Sequence, residues 1–170
     1  RGTIRHFSRA MDSQIREERA LRAELERALE KAEFHLHYQP QVDIKRELIG
    51  HEALLRWRSA THGDVSPMTF VPVAEQTGLI VPIGEWVLRE ACREAASWPG
   101  RTKVAVNISP QQFKGADLPR LVQLALAETG LPASRLELEI TESVFIDDFT
   151  RALSTLMRLK ALGVDIALDD

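Results

Sequence analysis

The chain has 170 residues, of which 44% are hydrophobic and 28% charged, and its net charge is -3. These values are typical of one soluble globular domain and exclude a fibrous repeat or a wholly disordered chain. A slightly acidic chain has no basic field for a nucleic-acid polymer. The single cysteine, Cys92, and the lack of a membrane-length apolar run lead us to expect a cytoplasmic location. A membrane anchor in an upstream region of a longer parent protein stays compatible with this expectation.

Residues 16–33 predict an amphipathic helix. Charged residues dominate this stretch, no glycine or proline interrupts it, and apolar residues recur on one face: Leu21, Leu25, Ala28, Leu29 and Ala32. The helix could dock on its own domain, or it could be a connector whose apolar seam pairs with a second copy. We interpret residues 1–33 as a connector or signalling helix and residues 34–170 as the main unit.

Two strands are predicted next. In "FHLHYQPQVDI" the apolar residues Phe34, Leu36 and Tyr38 alternate with polar ones, which is typical of a half-buried strand. "ELIGHEALLRW" follows a turn-prone segment and predicts the second strand. Residues 60–69 predict a loop, and "FVPVAEQTGLIVPIG" predicts a short helix and turns because prolines and glycines interrupt it.

From residue 83 onward the chain alternates between helices and strands. Amphipathic helices are predicted over 83–98, 117–129 and 149–162, with Asp117 as the N-cap of the second. The strands between and after them are "KVAVNIS", "RLELEIT" and "VDIALDD". Nearly continuous apolar strands separated by such helices predict an α/β fold with a parallel sheet. Ligands of these folds bind at the carboxyl ends of the strands.

Oxygen-bearing side chains occur at those strand ends: Glu52, Asn107, Glu139, Glu142, Asp169 and Asp170. Crowded carboxylates repel one another unless a divalent cation neutralises them, and oxygen ligands suit Mg²⁺, Mn²⁺ or Ca²⁺ better than zinc. An adjacent pair such as Asp169 and Asp170 could let one carboxylate bridge two ions, as two-metal phosphoryl chemistry requires.

Each of these residues also has a purely structural interpretation. Glu52 could pair with a nearby arginine, and Asn107 could cap the turn after its strand. Glu142 could lie at the start of a helix capped by Thr141, and the two aspartates could be solvated. Individually these alternatives stay open, but they leave the shared position at the strand ends unexplained.

The motifs "FHLHYQPQVDI", "GHEALLRW", "FVPVAEQTGLI", "VAVNISPQQF", "LELEITES" and "LGVDIALDD" resemble, in order and spacing, those of the EAL family. These proteins are phosphodiesterases that linearise the bacterial second messenger cyclic di-GMP. The resemblance implies a TIM-like (β/α) barrel that is incomplete in this chain. Its first strand would be antiparallel and the remaining strands parallel, and it would use Mg²⁺ or Mn²⁺ to produce linear pGpG.

The resemblance also implies roles for particular residues. The implied metal ligands are Glu52, Asn107, Glu139, Asp169 and Asp170, and the catalytic group comprises Glu52, Asp169, Asp170 and Glu142, with Glu142 steadying the adjacent loop. Gln39, Leu55 and Arg56 match positions that bind the dinucleotide. A two-metal site is expected in the complete domain.

The family pattern continues beyond the double aspartate with a Phe-Gly-Thr-Gly loop, a lysine and a general-base glutamate. We therefore expect the 170 residues to be inactive in isolation. The resemblance further implies an upstream GGDEF or sensory domain and a homodimer. The alternatives are an inactive EAL-like receptor that binds cyclic di-GMP without cleaving it, and an interaction module in which the first helix is the functional element.

Overall fold

A computed structural model describes residues 9–115, 117–146 and 148–169, with the backbone alone for residues 9–18, 115 and 169. Its strands are β1 (Phe34–Val42), β2 (Leu48–Ser59), β3 (Gly63–Val65), β4 (Lys103–Ile108), β5 (Leu136–Thr141) and β6 (Asp165–Asp169). Its helices are α1 (Arg9–Ala28), α2 (Pro67–Thr77), α3 (Ile80–Ala96), α4 (Pro110–Gly115), α5 (Leu118–Thr129) and α6 (Phe149–Ala161). Short 3₁₀ turns cover Ala133–Arg135 and Glu142–Phe145. Within this described part, no helix has the length and hydrophobicity needed to cross a bilayer.

The strands form one mixed sheet in the order β1-β2-β4-β5-β6, and β3 pairs with β2 at the side of this path. The β1–β2 and β2–β3 pairs are antiparallel. The β2–β4, β4–β5 and β5–β6 pairs are parallel. This confirms the predicted fold class, part of a TIM-like barrel whose first strand is antiparallel.

One face of the sheet packs against the helices and forms the core. Val104 and Val106 of β4 and Leu136, Leu138 and Ile140 of β5 are at most 1% exposed. The apolar stripe of α3 covers them with Ile83, Val87, Leu88, Ala91 and Ala95, all buried. Each large aliphatic side chain buried in this way contributes roughly 1.5–3 kcal/mol. The opposite face of the same strands is therefore the side on which polar side chains can gather.

Three segments differ from the sequence-based expectation. Residues 60–69 are not simply a loop, because β3 completes a hairpin with β2 and α2 already begins at Pro67. Helix α3 begins at Ile80 rather than at residue 83, since a proline in the first turn removes no helical hydrogen bond. Helix α4 was not expected, and it lies directly after β4.

The first helix ends earlier than residue 33, and its last turns are docked on the domain. Helix α1 stops at Ala28, and Ala32 has a positive φ of 52° that a helix does not allow. Leu25 and Ala28 are buried in the common core. The hydroxyl of Ser59 donates a hydrogen bond of 2.8 Å to Glu24 of this helix. The last turns of α1 are therefore docked on their own domain. Residues 1–8 lie outside the described part of the chain.

Cys92 offers a direct test of the core. Its side chain is completely buried in α3, and burial raises the pKa of the thiol to about 12. Because the thiolate is the reactive form, we expect the native protein to resist a thiol reagent such as DTNB at pH 8. The same protein should react fully in denaturant. Rapid labelling of the native protein would contradict this packing.

Candidate active site

The register of the parallel strands brings the predicted ligands to one face of the sheet. Glu52 in β2 pairs with Ala105 in β4, and Asn107 follows two residues later. Asn107 pairs in turn with Glu139 in β5. Side chains two residues apart on a strand, and those directly paired across strands, project from the same face. Glu52, Asn107 and Glu139 therefore face away from the apolar core and toward the barrel interior.

Two of these side chains contact each other directly. The amide Nδ2 of Asn107 donates a hydrogen bond of 2.7 Å to Oε1 of Glu52. Because the nitrogen of the amide faces Glu52, the carbonyl oxygen Oδ1 keeps its capacity as an acceptor. Asn107 can thus hold the Glu52 carboxylate and still offer an oxygen to a ligand. Its alternative role as a simple turn cap is not the one seen here.

Glu139 is held by an amide from a distant part of the chain. Nε2 of Gln41, in β1, donates a hydrogen bond of 3.1 Å to Oε1 of Glu139. The sequence analysis did not single out Gln41. The available signal was the alternation in "YQPQV", which places Gln39 and Gln41 on the same face of one strand.

The remaining acidic candidates are placed less completely. The backbone of Asp169 pairs with Thr141, which follows Glu139 by two residues in β5. The side chain of Asp169 and the whole of Asp170 lie outside the described residues. Glu142 is exposed and begins the 3₁₀ turn after β5. The roles expected for these three residues stay predictions.

The residues expected to bind the dinucleotide lie around the same end of β2. Gln39 pairs across the hairpin with Glu52 and is exposed. Arg56 projects from the Glu52 face of β2, and its Nη1 donates a hydrogen bond of 2.9 Å to the carbonyl of Leu55. A cavity of about 490 Å³ opens here, and its lining includes Leu54, Leu55, Arg56, Glu75, Asn107 and Ser109. The structure brings Leu55 and Arg56 to this cavity together with Asn107.

A buried glutamine supports the cavity wall and was missed by the sequence analysis. Oε1 of Gln112 in α4 accepts a hydrogen bond of 3.0 Å from the backbone N–H of Ser109. The hydroxyl of Ser109 donates a bond of 2.8 Å to Glu75 in α2. Gln112 is only 3% exposed and lies against Gly84 of α3. The loop after β4 is thus fixed from two neighbouring helices.

The acidic residues at the other end of the same face have a different partner. Nζ of Lys103 lies 2.7 Å from a carboxylate oxygen of Asp165 and 3.5 Å from one of Glu137. The hydrogen bond to Asp165 raises the pKa of Lys103, and the same bond lowers the pKa of Asp165. Lys160 also lies 3.4 Å from Asp165, so two lysines accompany the two carboxylates at the amino ends of the strands. Farther along the same face, the described partners of Glu52 and Glu139 are the side-chain amides of Asn107 and Gln41.

The donor chemistry fits a hard divalent cation. Glu52 and Glu139 offer carboxylate oxygens, and Asn107 offers an amide oxygen. Among the described residues, no group of three or more His, Cys, Asp or Glu side chains is placed to hold a metal ion. Asn107 is not one of these four residue types, and the side chains of Asp169 and Asp170 lie outside the described residues. The set seen here is two carboxylates and one amide on a shared face.

Comparison with known proteins identifies the family. The EAL domain model matches residues 22–170, so the chain belongs to the EAL family. An uncharacterized signaling protein of Caulobacter vibrioides is 50% identical over the whole chain, which covers 21% of that protein. The bifunctional diguanylate cyclase/cyclic di-GMP phosphodiesterase MucR of Pseudomonas aeruginosa is 44% identical over 96% of the chain, which covers 25% of MucR.

A solved structure supports the same assignment. The complex of the PaMucR phosphodiesterase with c-di-GMP has a TM-score of 0.84 and 46% sequence identity. The match covers 89% of this chain and 63% of that one. The chain thus spans about a fifth to a quarter of the curated relatives named above. The family predicted from the motifs is confirmed, and its relatives include named cyclic di-GMP phosphodiesterases.

Gly84 tests the support of the cavity wall. A Cβ at this position would clash with the side-chain amide of Gln112, so Gly84→Ala must displace that buried side chain. We expect a loss of about 1–3 kcal/mol from overpacking, larger than the gain of up to about 1 kcal/mol in helix propensity. Urea unfolding of Gly84→Ala, Gln112→Ala and the double variant measures the coupling. If Gly84→Ala lowers the free energy of unfolding by the same amount with and without Gln112→Ala, the proposed contact is contradicted.

Proposed function

We propose that this chain is the amino-terminal part of a metal-dependent phosphodiesterase domain that hydrolyses cyclic di-GMP to linear pGpG. The observation that carries the proposal is the face of the sheet that Glu52, Asn107 and Glu139 share. Asn107 and Glu139 lie near the carboxyl ends of β4 and β5, and Glu52 lies beside them in the middle of β2. Membership of the EAL family and the likeness to the c-di-GMP complex of the PaMucR phosphodiesterase support it.

Mg²⁺ or Mn²⁺ would be held by Glu52, Asn107 and Glu139, with Asp169 and Asp170 completing a two-metal site. Bound there, the cations would polarise the phosphoryl oxygen and lower the pKa of a bound water. The carboxylates supply the negative charge that makes cation binding favourable, and their hydrogen bonds hold them in position beforehand. Glu142 would steady the loop that follows β5.

The phosphodiester would be oriented by side chains along β1 and β2. Arg56 projects from the same face as Glu52, and a guanidinium suits two phosphate oxygens at once. Gln39 lies opposite Glu52 and can contact the dinucleotide from β1. The cavity of about 490 Å³ would give a base of the ligand an apolar wall at Leu55, beside the polar side chains of Arg56 and Asn107.

The organisation of the longer protein is part of the proposal. Residues 1–33 would connect residues 34–170 to an upstream GGDEF or sensory domain in the cytoplasm, and the active form would be a homodimer. The name of MucR, a bifunctional diguanylate cyclase and phosphodiesterase, supports such an arrangement. Residues 1–33 would contact β2 at two points. Glu24 of α1 accepts a hydrogen bond from Ser59, and Glu33, in the turn after α1, accepts one of 3.0 Å from the indole of Trp57.

The decisive variant is Glu52→Gln in the full-length protein. It keeps the size of the side chain but removes the charge. Residues that only support a metal ligand contribute up to about a hundredfold in activity, so we expect loss of a ligand to lower the hydrolysis rate by more than about a hundredfold. The assay follows conversion of cyclic di-GMP to pGpG with Mg²⁺ or Mn²⁺ by chromatography. Glu47→Gln, at an exposed position in the β1–β2 turn, is the matched control and should keep full activity.

The same experiment separates the proposal from its alternative. If the folded full-length protein binds cyclic di-GMP by calorimetry but forms no pGpG with either metal, it is a receptor rather than a phosphodiesterase. If it neither binds nor cleaves the dinucleotide, the ligand assignment itself is wrong.

A further inference from the structure

Gln41 is a polar residue of β1 whose side chain contacts a strand that is not its neighbour in the sheet. It pairs with Gly50 of β2, while its side-chain amide contacts Glu139 of β5, which is 98 positions away in sequence. Strands β2 and β4 lie between β1 and β5 in the sheet. The contact therefore crosses the concave interior of the partial barrel and is not made between neighbouring strands.

The crossing depends on a missing side chain at Gly50. A Cβ built at this buried glycine would lie 3.3 Å from Oε1 of Gln41 and 3.0 Å from the carbonyl oxygen of Lys103. Such distances are shorter than ordinary contacts, so with a larger residue the carbonyl of Lys103 and the end of the Gln41 side chain would each have to shift by a few tenths of an ångström. Glycine thus leaves the space through which the amide of Gln41 extends toward Glu139.

The orientation of the amide matters for the carboxylate. Its N–H group donates to Oε1 of Glu139, which limits rotation of the carboxylate about its last torsion. A carboxylate with one oxygen fixed by a donor presents the other in a defined direction. Asn107 does the same for Glu52, so each of the two carboxylates is oriented by a side-chain amide.

We propose that Gln41 is a positioning residue that fixes the Glu139 carboxylate for cation binding. This inference rests on the proposed function, because it assigns a role within the same site. Gln41 would act through its hydrogen bond to Glu139 rather than as a ligand of the cation. Hydrogen-bonded partners of metal-binding carboxylates are worth about 10–100-fold in metal affinity or activity, which sets the size of the expected effect.

The experiment compares Gln41→Met and Gln41→Leu in the full-length protein. Both substitutions remove the N–H donor, but the two new side chains differ in shape. A change in Mn²⁺ affinity that both variants show is therefore caused by the lost hydrogen bond. Titration of the metal-free protein with Mn²⁺, followed by electron paramagnetic resonance of the free ion, gives the dissociation constant. We expect it to rise about tenfold or more in both variants. Gln123→Met, an exposed position on α5, is the matched control and should leave it unchanged.

A second readout distinguishes positioning from mere structural support. If Gln41 acts on cation binding, saturating Mn²⁺ should restore most of kcat in both variants. A loss of kcat that saturating Mn²⁺ leaves unchanged would overturn the inference. The inference would also be overturned if the wild-type protein binds Mn²⁺ and cleaves cyclic di-GMP but both variants keep the wild-type dissociation constant. A wild-type protein that does neither would instead overturn the proposed function, and the inference with it.

Discussion

The register of three parallel strands is the constraint on which the site depends. Paired residues on neighbouring strands project from the same face, so Asn107 and Glu139, which are paired, both face the barrel interior. The residues between them along each strand, such as Val106 and Leu138, face the opposite way and are buried in the core. A slip of one residue would bury the acids among aliphatic side chains and expose the core residues. The packing that stabilises the fold therefore also fixes the site.

The acidic residues at the two ends of this polar face have different described partners. At the amino ends of the strands, Lys103 contacts Asp165 and Glu137, and Lys160 lies 3.4 Å from Asp165. Farther along the same face, the amides of Asn107 and Gln41 donate hydrogen bonds to Glu52 and Glu139. One face thus contains a structural ion-pair network at one end and the proposed ligand site farther along it.

Much of this arrangement could be predicted from the sequence. The alternation of helices and apolar strands predicted the parallel sheet, and the positions just inside the strand ends predicted Asn107 and Glu139. Glu52 was also expected at a strand end, but β2 continues to Ser59 and places Glu52 in its middle. The contacts of Gln41 and Gln112 could not be predicted in the same way. The first depends on barrel curvature and on the space at Gly50, and the second on the close approach of α4 to Gly84. Neither distance follows from periodicity along one element.

The most direct measurement is anomalous X-ray diffraction at the manganese absorption edge, from crystals of the full-length protein grown with Mn²⁺ and cyclic di-GMP. The account predicts a manganese peak in contact with the carboxylates of Glu52 and Glu139 and with Oδ1 of Asn107. Manganese bound away from that face of the sheet, with these three side chains in contact only with each other and with Gln41, would contradict it.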